Sequence, residues 1–302
     1  MTSWQAYLTA WILRRRLKPK LRAAKSIAES RRLLTPPRFR IPKDVRVIPD
    51  CVGGIPGEWV SAGQRQALPS APCLLLYLHG GGYIACSIET HRAITVAFAQ
   101  QGFRVYAPEY RLAPEHRFPA ALDDAVAVYQ SMLAKGPIVL AGDSAGGGLA
   151  LALMVRLRDA KISLPVAAAL FSPWTDLAGT GKSLKANNTR CAMFYGDSVE
   201  PGALHYLADT DRRHPLASPL YADLSDLPPL LIHVGRDEVL RDDSTRLAER
   251  ARSAGVMVDL KIWPVVPHAW QLAQATLPEA RQSVREAAAF LQAKVNLRCQ
   301  PT

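Results

Sequence analysis

Residues 142–146 read Gly-Asp-Ser-Ala-Gly, and the stretches on either side decide what that pentapeptide means. Before it lies a short apolar run of strand type, residues 137–141 (PIVLA), and behind it an apolar helical pattern opens at about residue 145. A strand that turns into a helix this abruptly puts its central residue in a strained backbone conformation, and glycine on both sides removes Cβ clashes. The Ser144 hydroxyl is then held clear of the backbone, at a helix N-terminus whose dipole favours negative charge. A strand–turn–helix unit of this kind belongs in a sheet whose strands are joined by crossover helices, which constrains the rest of the chain.

From about residue 44 the sequence obeys that constraint. Strand-like apolar runs occupy residues 45–49, 57–61, 73–78, 103–107, 137–141, 166–171, 229–234 and 257–263, with amphipathic helices near 89–101, 119–134, 145–159, 243–254 and 278–295. Continuous apolar strands separated by helices imply an α/β fold with a mostly parallel eight-stranded sheet covered on both faces. The close spacing of the first two strands implies an antiparallel hairpin at one edge. Residues 178–225 break the alternation, with only a weak helix around 200–208, and so long a connection suits a cap segment over a site. At the N-terminus, Trp4, Tyr7, Leu8, Trp11 and Ile12 recur on one face of a helix, and a second helical stretch spans 20–34, before Pro36-Pro37. This pair is expected to rest on the body as a lid, with an amphipathic membrane anchor as the alternative. The resulting division is 1–44 as the N-terminal part of a helical cap, 45–177 and 216–302 as core, and 178–215 as a second cap segment.

The net charge of +11 resembles a nucleic-acid signal only until it is located. Residues 1–50 hold thirteen Lys/Arg against Glu29, Asp44 and Asp50, so that segment carries +10 and the remainder +1. A nearly neutral body argues against nucleic acid as a partner and assigns the charge to an exposed face of the appended element. The five cysteines (Cys51, Cys73, Cys86, Cys191, Cys299) show no CxxC pair and no metal spacing, which suits a reducing compartment. No export signal and no apolar run of transmembrane length are evident, so a cytoplasmic location without stable membrane insertion is expected.

The second chemical feature is His79-Gly80-Gly81-Gly82-Tyr83, directly after the strand 73–78. Acyl transfer builds negative charge on a carbonyl oxygen, which needs donors already in place. Consecutive glycines let main-chain N–H groups face a ligand, so Gly81, Gly82 and Ala145 are expected to form an oxyanion hole, with His79 locking the loop. No Lys-Ser/Thr follows, which disfavours a phosphate-binding loop. These two motifs, together with Tyr110-Arg111-Leu112-Ala113-Pro114-Glu115-His116-Arg117-Phe118-Pro119-Ala120-Ala121 and Ser172-Pro173-Trp174-Thr175-Asp176-Leu177, resemble the hormone-sensitive-lipase-like family of α/β-hydrolases. The resemblance spans about residues 45–290. It implies the α/β-hydrolase fold with an N-terminal helical cap, short- to medium-chain acyl esters as substrates, and no cofactor or metal.

A serine nucleophile in this fold needs an acid and then a histidine later in the chain. Of the seven histidines, His268 follows the last strand and precedes the last long helix, and it is the expected general base. The family usually writes this site H-G-F, from which Ala269-Trp270 departs. For the acid, the strand 229–234 runs into Gly235-Arg236-Asp237-Glu238-Val239-Leu240-Arg241-Asp242-Asp243. Asp237 comes first and matches the family's D-x-L acid, although Leu240 stands one residue late; Glu238 is its competitor. Asp242 and Asp243 read as N-cap residues of the next helix. Asp143 is read as a buried acid shaping the loops and as a neighbour of substrate, and Arg111 and Glu115 as an internal ion pair. Tyr83, Phe194 and Tyr195, with Trp4 and Trp11, are expected to line the pocket. The residues point to a serine carboxylesterase acting through an acyl-enzyme on a small-molecule ester, with a homodimer as one assembly open to it. A lactone hydrolase or small-molecule deacetylase on the same triad is the alternative, and a non-catalytic receptor the remote one.

Overall fold

A computed structural model describes residues 2–36, 38–63 and 73–298; Cys299 lies outside them. Eight strands form one sheet: β1 (Val45–Val52), β2 (Ile55–Ala62), β3 (Leu74–Leu78), β4 (Arg104–Pro108), β5 (Ile138–Asp143), β6 (Ala168–Phe171), β7 (Leu230–Gly235) and β8 (Val258–Trp263). Their order is β1-β2-β4-β3-β5-β6-β7-β8. β2 runs antiparallel to β1 and β4, and every other pairing is parallel. The expected antiparallel edge hairpin and parallel centre are both present.

The central strands are buried along their whole length, so alternate residues serve two cores. Leu74, Leu76, Leu78, Ile138 and Leu140 join the cluster under α5 (Ala120–Leu133), α6 (Ala145–Asp159) and α9 (Arg241–Ser253). Leu75, Tyr77, Val139 and Ala141 face the opposite cluster, covered by α4 (Ile88–Gln100) and α10 (Pro278–Arg298). These helices fall within about three residues of the ranges read from periodicity.

The two non-core segments meet each other. α1 (Trp4–Ile12) continues through a π-helical turn (Leu13–Leu17) into α2 (Lys18–Ala23), and α3 (Ile27–Leu34) follows. The expected single helix over 20–34 is thus two, because Ser26 caps α3 by accepting the Glu29 N–H and ends the run before it. Pro19 comes directly after the π-helical turn, in a continuous helical run, and such a turn is a common accommodation for a residue that has no N–H to donate. The later segment holds α7 (Ser183–Ala186) and α8 (Val199–Leu207). Lys18 joins the two: its buried Nζ donates to the carbonyls of Asn188 (2.5 Å) and Cys191 (2.8 Å) and lies 4.2 Å from the Tyr195 ring centre.

The orientation of α1 reverses the expectation. Ala6 and Ala10 face the body, while Trp4, Tyr7, Leu8, Trp11 and Ile12 face solvent. Ala6 packs with Trp263, Val266 and Trp270, and the Ser3 N–H and hydroxyl grip the Glu279 carboxylate at 2.6 and 2.8 Å. Close approach to the body is possible only through the small residues, which turns the large ones outward.

Candidate active site

The bend after β5 is as sharp as its sequence demands. Ser144 has φ 53° and ψ −123°, a conformation in the positive-φ region that a non-glycine residue adopts only when its surroundings hold it. Its N–H donates to Phe171 O (2.8 Å), and its carbonyl accepts from Gly148 (3.1 Å) and Trp174 (2.9 Å). The backbone is thereby pinned on two sides. Gly146 explains the glycine behind the nucleophile: a Cβ there would lie 2.0 Å from Leu78 O, where the start of α6 crosses the end of β3.

The triple-glycine turn is built around Asp143. This carboxylate, 1% exposed, accepts from Tyr77 OH (2.6 Å) and the Gly80 N–H (3.0 Å), and its other oxygen meets His91 Nε2 at 3.3 Å. Burial alone would raise its pKa, but His91 and the Tyr77 hydroxyl hold it below the ordinary carboxylate value. Gly81 takes φ +120°, and a Cβ there would meet Ala85 O at 2.1 Å. Both Gly81 and Gly82 line the same cavity as Ser144, while Ala145 opens α6 directly behind the nucleophile. His79 is neutral, burial pushing its pKa down to about 3, and it stacks on Tyr110 at 4.3 Å with Nδ1 2.7 Å from Gly80 O. It braces the loop, as its position after the strand suggested.

His268 Nδ1 lies 2.6 Å from Oε2 of Glu238, not from Asp237. Asp237, the acid expected from chain order, is not the partner of the imidazole. β7 ends at Gly235, and the Glu238 N–H closes a turn onto the Gly235 carbonyl (3.2 Å). That turn brings residue 238 back inward, where Glu238 Oε1 accepts from Gly235 N–H (2.6 Å) and Ser172 Oγ (2.7 Å). Asp237 is left at the rim, 3.9 Å from Arg190 and Arg236. The signal was in the sequence: counting two residues back from Leu240 lands on Glu238. A carboxylate can only accept, so Nδ1 carries the hydrogen and Nε2 presents its lone pair. Nε2 has no hydrogen-bond partner among the described residues.

Ser144 and His268 both open into a cavity of about 770 Å³. Its walls come largely from the two non-core segments, with Leu21, Ile27 and Leu34 from one side and Met193, Phe194 and Val199 from the other. Phe194 sets its ring edge-on to the His268 imidazole at 5.2 Å. The other expected lining residues lie elsewhere. Tyr83 is buried and stacked on Tyr206 at 3.8 Å, because the loop turns at positive φ and directs the ring beneath α8. Tyr195 lies under Lys18 and Arg22, and Trp4 and Trp11 point to solvent. Arg111 and Glu115 do not pair: Arg111 binds Asp124 at 2.6 Å, where α5 passes the loop, and Glu115 binds Arg31 at 2.6 Å. Asp242 and Asp243 are not the expected caps: they lie in the first turn of α9, two and three residues past its N-cap, Leu240. They accept N–H groups from Ser183, Thr175 and Asp176.

A family model for the α/β-hydrolase fold matches residues 75–272. A crystal structure described as an esterase of the bacterial hormone-sensitive lipase family superposes with a TM-score of 0.89 at 38% identity, covering 98% of this chain and 99% of that one. The chain belongs to the hormone-sensitive-lipase-like family of α/β-hydrolases. An acetyl-hydrolase of Streptomyces hygroscopicus is 44% identical to this hydrolase over 245 residues, covering 80% of each chain. An esterase of Acinetobacter venetianus is 38% identical over 252 residues, covering 82% of each. EstE5, crystallised and soaked with p-nitrophenyl butyrate, superposes with a TM-score of 0.90 at 37% identity over 97% of this chain and 99% of its own. The protein is a carboxylic-ester hydrolase. Among its described residues no helix is long and apolar enough to cross a membrane.

Proposed function

We propose that this hydrolase cleaves short- to medium-chain acyl esters through a Ser144–His268–Glu238 triad and a covalent acyl-enzyme. The carrying observation is the 2.6 Å contact between His268 Nδ1 and Glu238, which leaves Nε2 as the free base in the cavity that holds Ser144. Nε2 takes the Ser144 proton as Oγ attacks the ester carbonyl, and the imidazolium formed is stabilised by Glu238, which does not itself take the proton. The developing oxyanion is met by the N–H groups of Gly81, Gly82 and Ala145, each such donor being worth about 3 kcal/mol of barrier. His268 then protonates the departing alcohol and activates the water that releases the acid.

The substrate range rests on the cavity, whose volume of about 770 Å³ and mainly apolar walls suit a compact acyl chain with a small alcohol. We place the activity in the cytoplasm, where the free thiols of Cys51, Cys86 and Cys191 stay reduced. The decisive experiment is pre-steady-state hydrolysis of an activated aryl ester series, acetyl to decanoyl, beside Ser144→Ala. A stoichiometric burst in the wild type and its loss in the variant are expected; full turnover by Ser144→Ala would end the proposal.

A further inference from the structure

We infer that the outward face of α1, with the basic run that follows it, is a docking surface for an anionic lipid bilayer. Five of the eleven exposed large apolar side chains among the described residues sit on this helix: Trp4 (69% exposed), Tyr7 (57%), Leu8 (45%), Trp11 (55%) and Ile12 (43%). A helix that served only to cover the core would place such residues inward. Here the inward positions are alanines, and the segment is tied to the body at several points. Ser3 is fixed to Glu279, Ala6 sits on the Trp263–Trp270 cluster, and Arg14 and Lys18 bind carbonyls of residues 188–191. The apolar stripe is therefore displayed on a rigid mount.

The charge beside it selects the occupant. Arg15, Arg16 and Lys20 are exposed and have no carboxylate partner among the described residues, directly beyond the end of the stripe. Tryptophan and tyrosine adjoining arginine and lysine match the two layers of a membrane interface, aromatic rings at headgroup depth and cations toward phosphate. A neutral apolar partner would leave these cations unanswered, and an acidic protein surface would leave five apolar side chains without a matching layer. The next two helices, α2 and α3, supply one wall of the catalytic cavity, so a docked molecule keeps its ester site on the segment that touches the bilayer.

The test is co-sedimentation of the full chain with vesicles of phosphatidylcholine alone or with about one third phosphatidylglycerol, a binding readout that does not depend on the ester activity. Binding is expected only with phosphatidylglycerol, and it should weaken as salt is raised. Each basic side chain near an anionic surface contributes about fivefold in partition, so Arg15→Gln/Arg16→Gln should bind about 25-fold more weakly. Trp4→Ser/Trp11→Ser should lose at least about tenfold. None of these residues lines the cavity, so all variants should hydrolyse a water-soluble ester at the wild-type rate. Three results would overturn the inference. These are no sedimentation with phosphatidylglycerol vesicles, equal binding by the tryptophan variant, or a wild-type dimer that Trp11→Glu converts to monomer. The last would assign the face to a second copy of the chain.

Discussion

Glu238→Gln against Asp237→Asn is the sharpest test of the site. Glu238 Oε1 already accepts from Gly235 N–H and Ser172 Oγ, both donors, so the carbonyl oxygen of a glutamine must occupy that side. Its NH₂ then faces His268 Nδ1, where a carboxylate oxygen stood at 2.6 Å. Donor facing donor forces the imidazole into the other tautomer, with the hydrogen on Nε2, which can no longer accept the Ser144 proton. Removing the negative charge also withdraws support from the imidazolium. The same exchange in a protease triad lowers kcat about 10⁴-fold, which corresponds to about 5.5 kcal/mol of barrier. Among the described residues Asp237 forms ion pairs with Arg190 and Arg236 alone, each at 3.9 Å, so Asp237→Asn should stay within about threefold of the wild type. Stopped-flow acylation by an activated aryl ester would measure both, with thermal melting to confirm that each variant is folded. A loss of less than tenfold in Glu238→Gln, or a comparable loss in Asp237→Asn, would refute the assignment of the acid.

Three further outcomes follow from the same geometry. Gly81→Ala forces a Cβ to within 2.1 Å of Ala85 O and displaces the donor loop, so kcat should fall about 10²- to 10³-fold with KM little changed in steady-state assays. Lys18→Met strips two charge-assisted hydrogen bonds from the joint between the non-core segments; about 3 kcal/mol of stability should be lost in denaturant melts. Asp243 is buried, and burial with Asp176 beside it pushes its pKa up to about 7 although the Thr175 N–H opposes this. Unfolded, it ionises near pH 4, so the native state holds the extra proton between about pH 4 and 7. Its stabilising contribution is fully present below that window and lost as pH rises through it, about 2.3 kcal/mol between pH 5 and 7. Asp243→Asn keeps an acceptor for the two N–H groups and should show a flatter dependence of stability on pH across that range.

The sheet was legible in the sequence because its strands are buried on both faces and its helices on one, so apolar runs and helical periods marked them without outside help. The nucleophile and glycine loop were legible for a different reason: their backbones need glycine at fixed places, and the sequence shows it. Order along the chain does not identify the acid, because the turn after Gly235 decides which carboxylate points inward, and it turns Glu238 in and leaves Asp237 at the rim. Tyr83 and Tyr195 lie away from the cavity that sequence position suggests, because an aromatic ring near a site in sequence can lie on either side of a loop. For α1, periodicity identifies an apolar face but not what covers it; the signal for the inward side is Ala6 and Ala10 on the opposite face.

Asp143 precedes the nucleophile and also holds the Gly80 N–H, so one carboxylate sets both the attacking group and the anion donors. The reacting frame is thus one hydrogen-bonded unit, while most of the surface a substrate meets belongs to residues 21–34 and 193–205, outside that frame. New ester preferences can arise by exchanging side chains in those two stretches, leaving the chemical step as it was. Altered selectivity in laboratory evolution should therefore concentrate there and be nearly absent from positions 77–82 and 142–146.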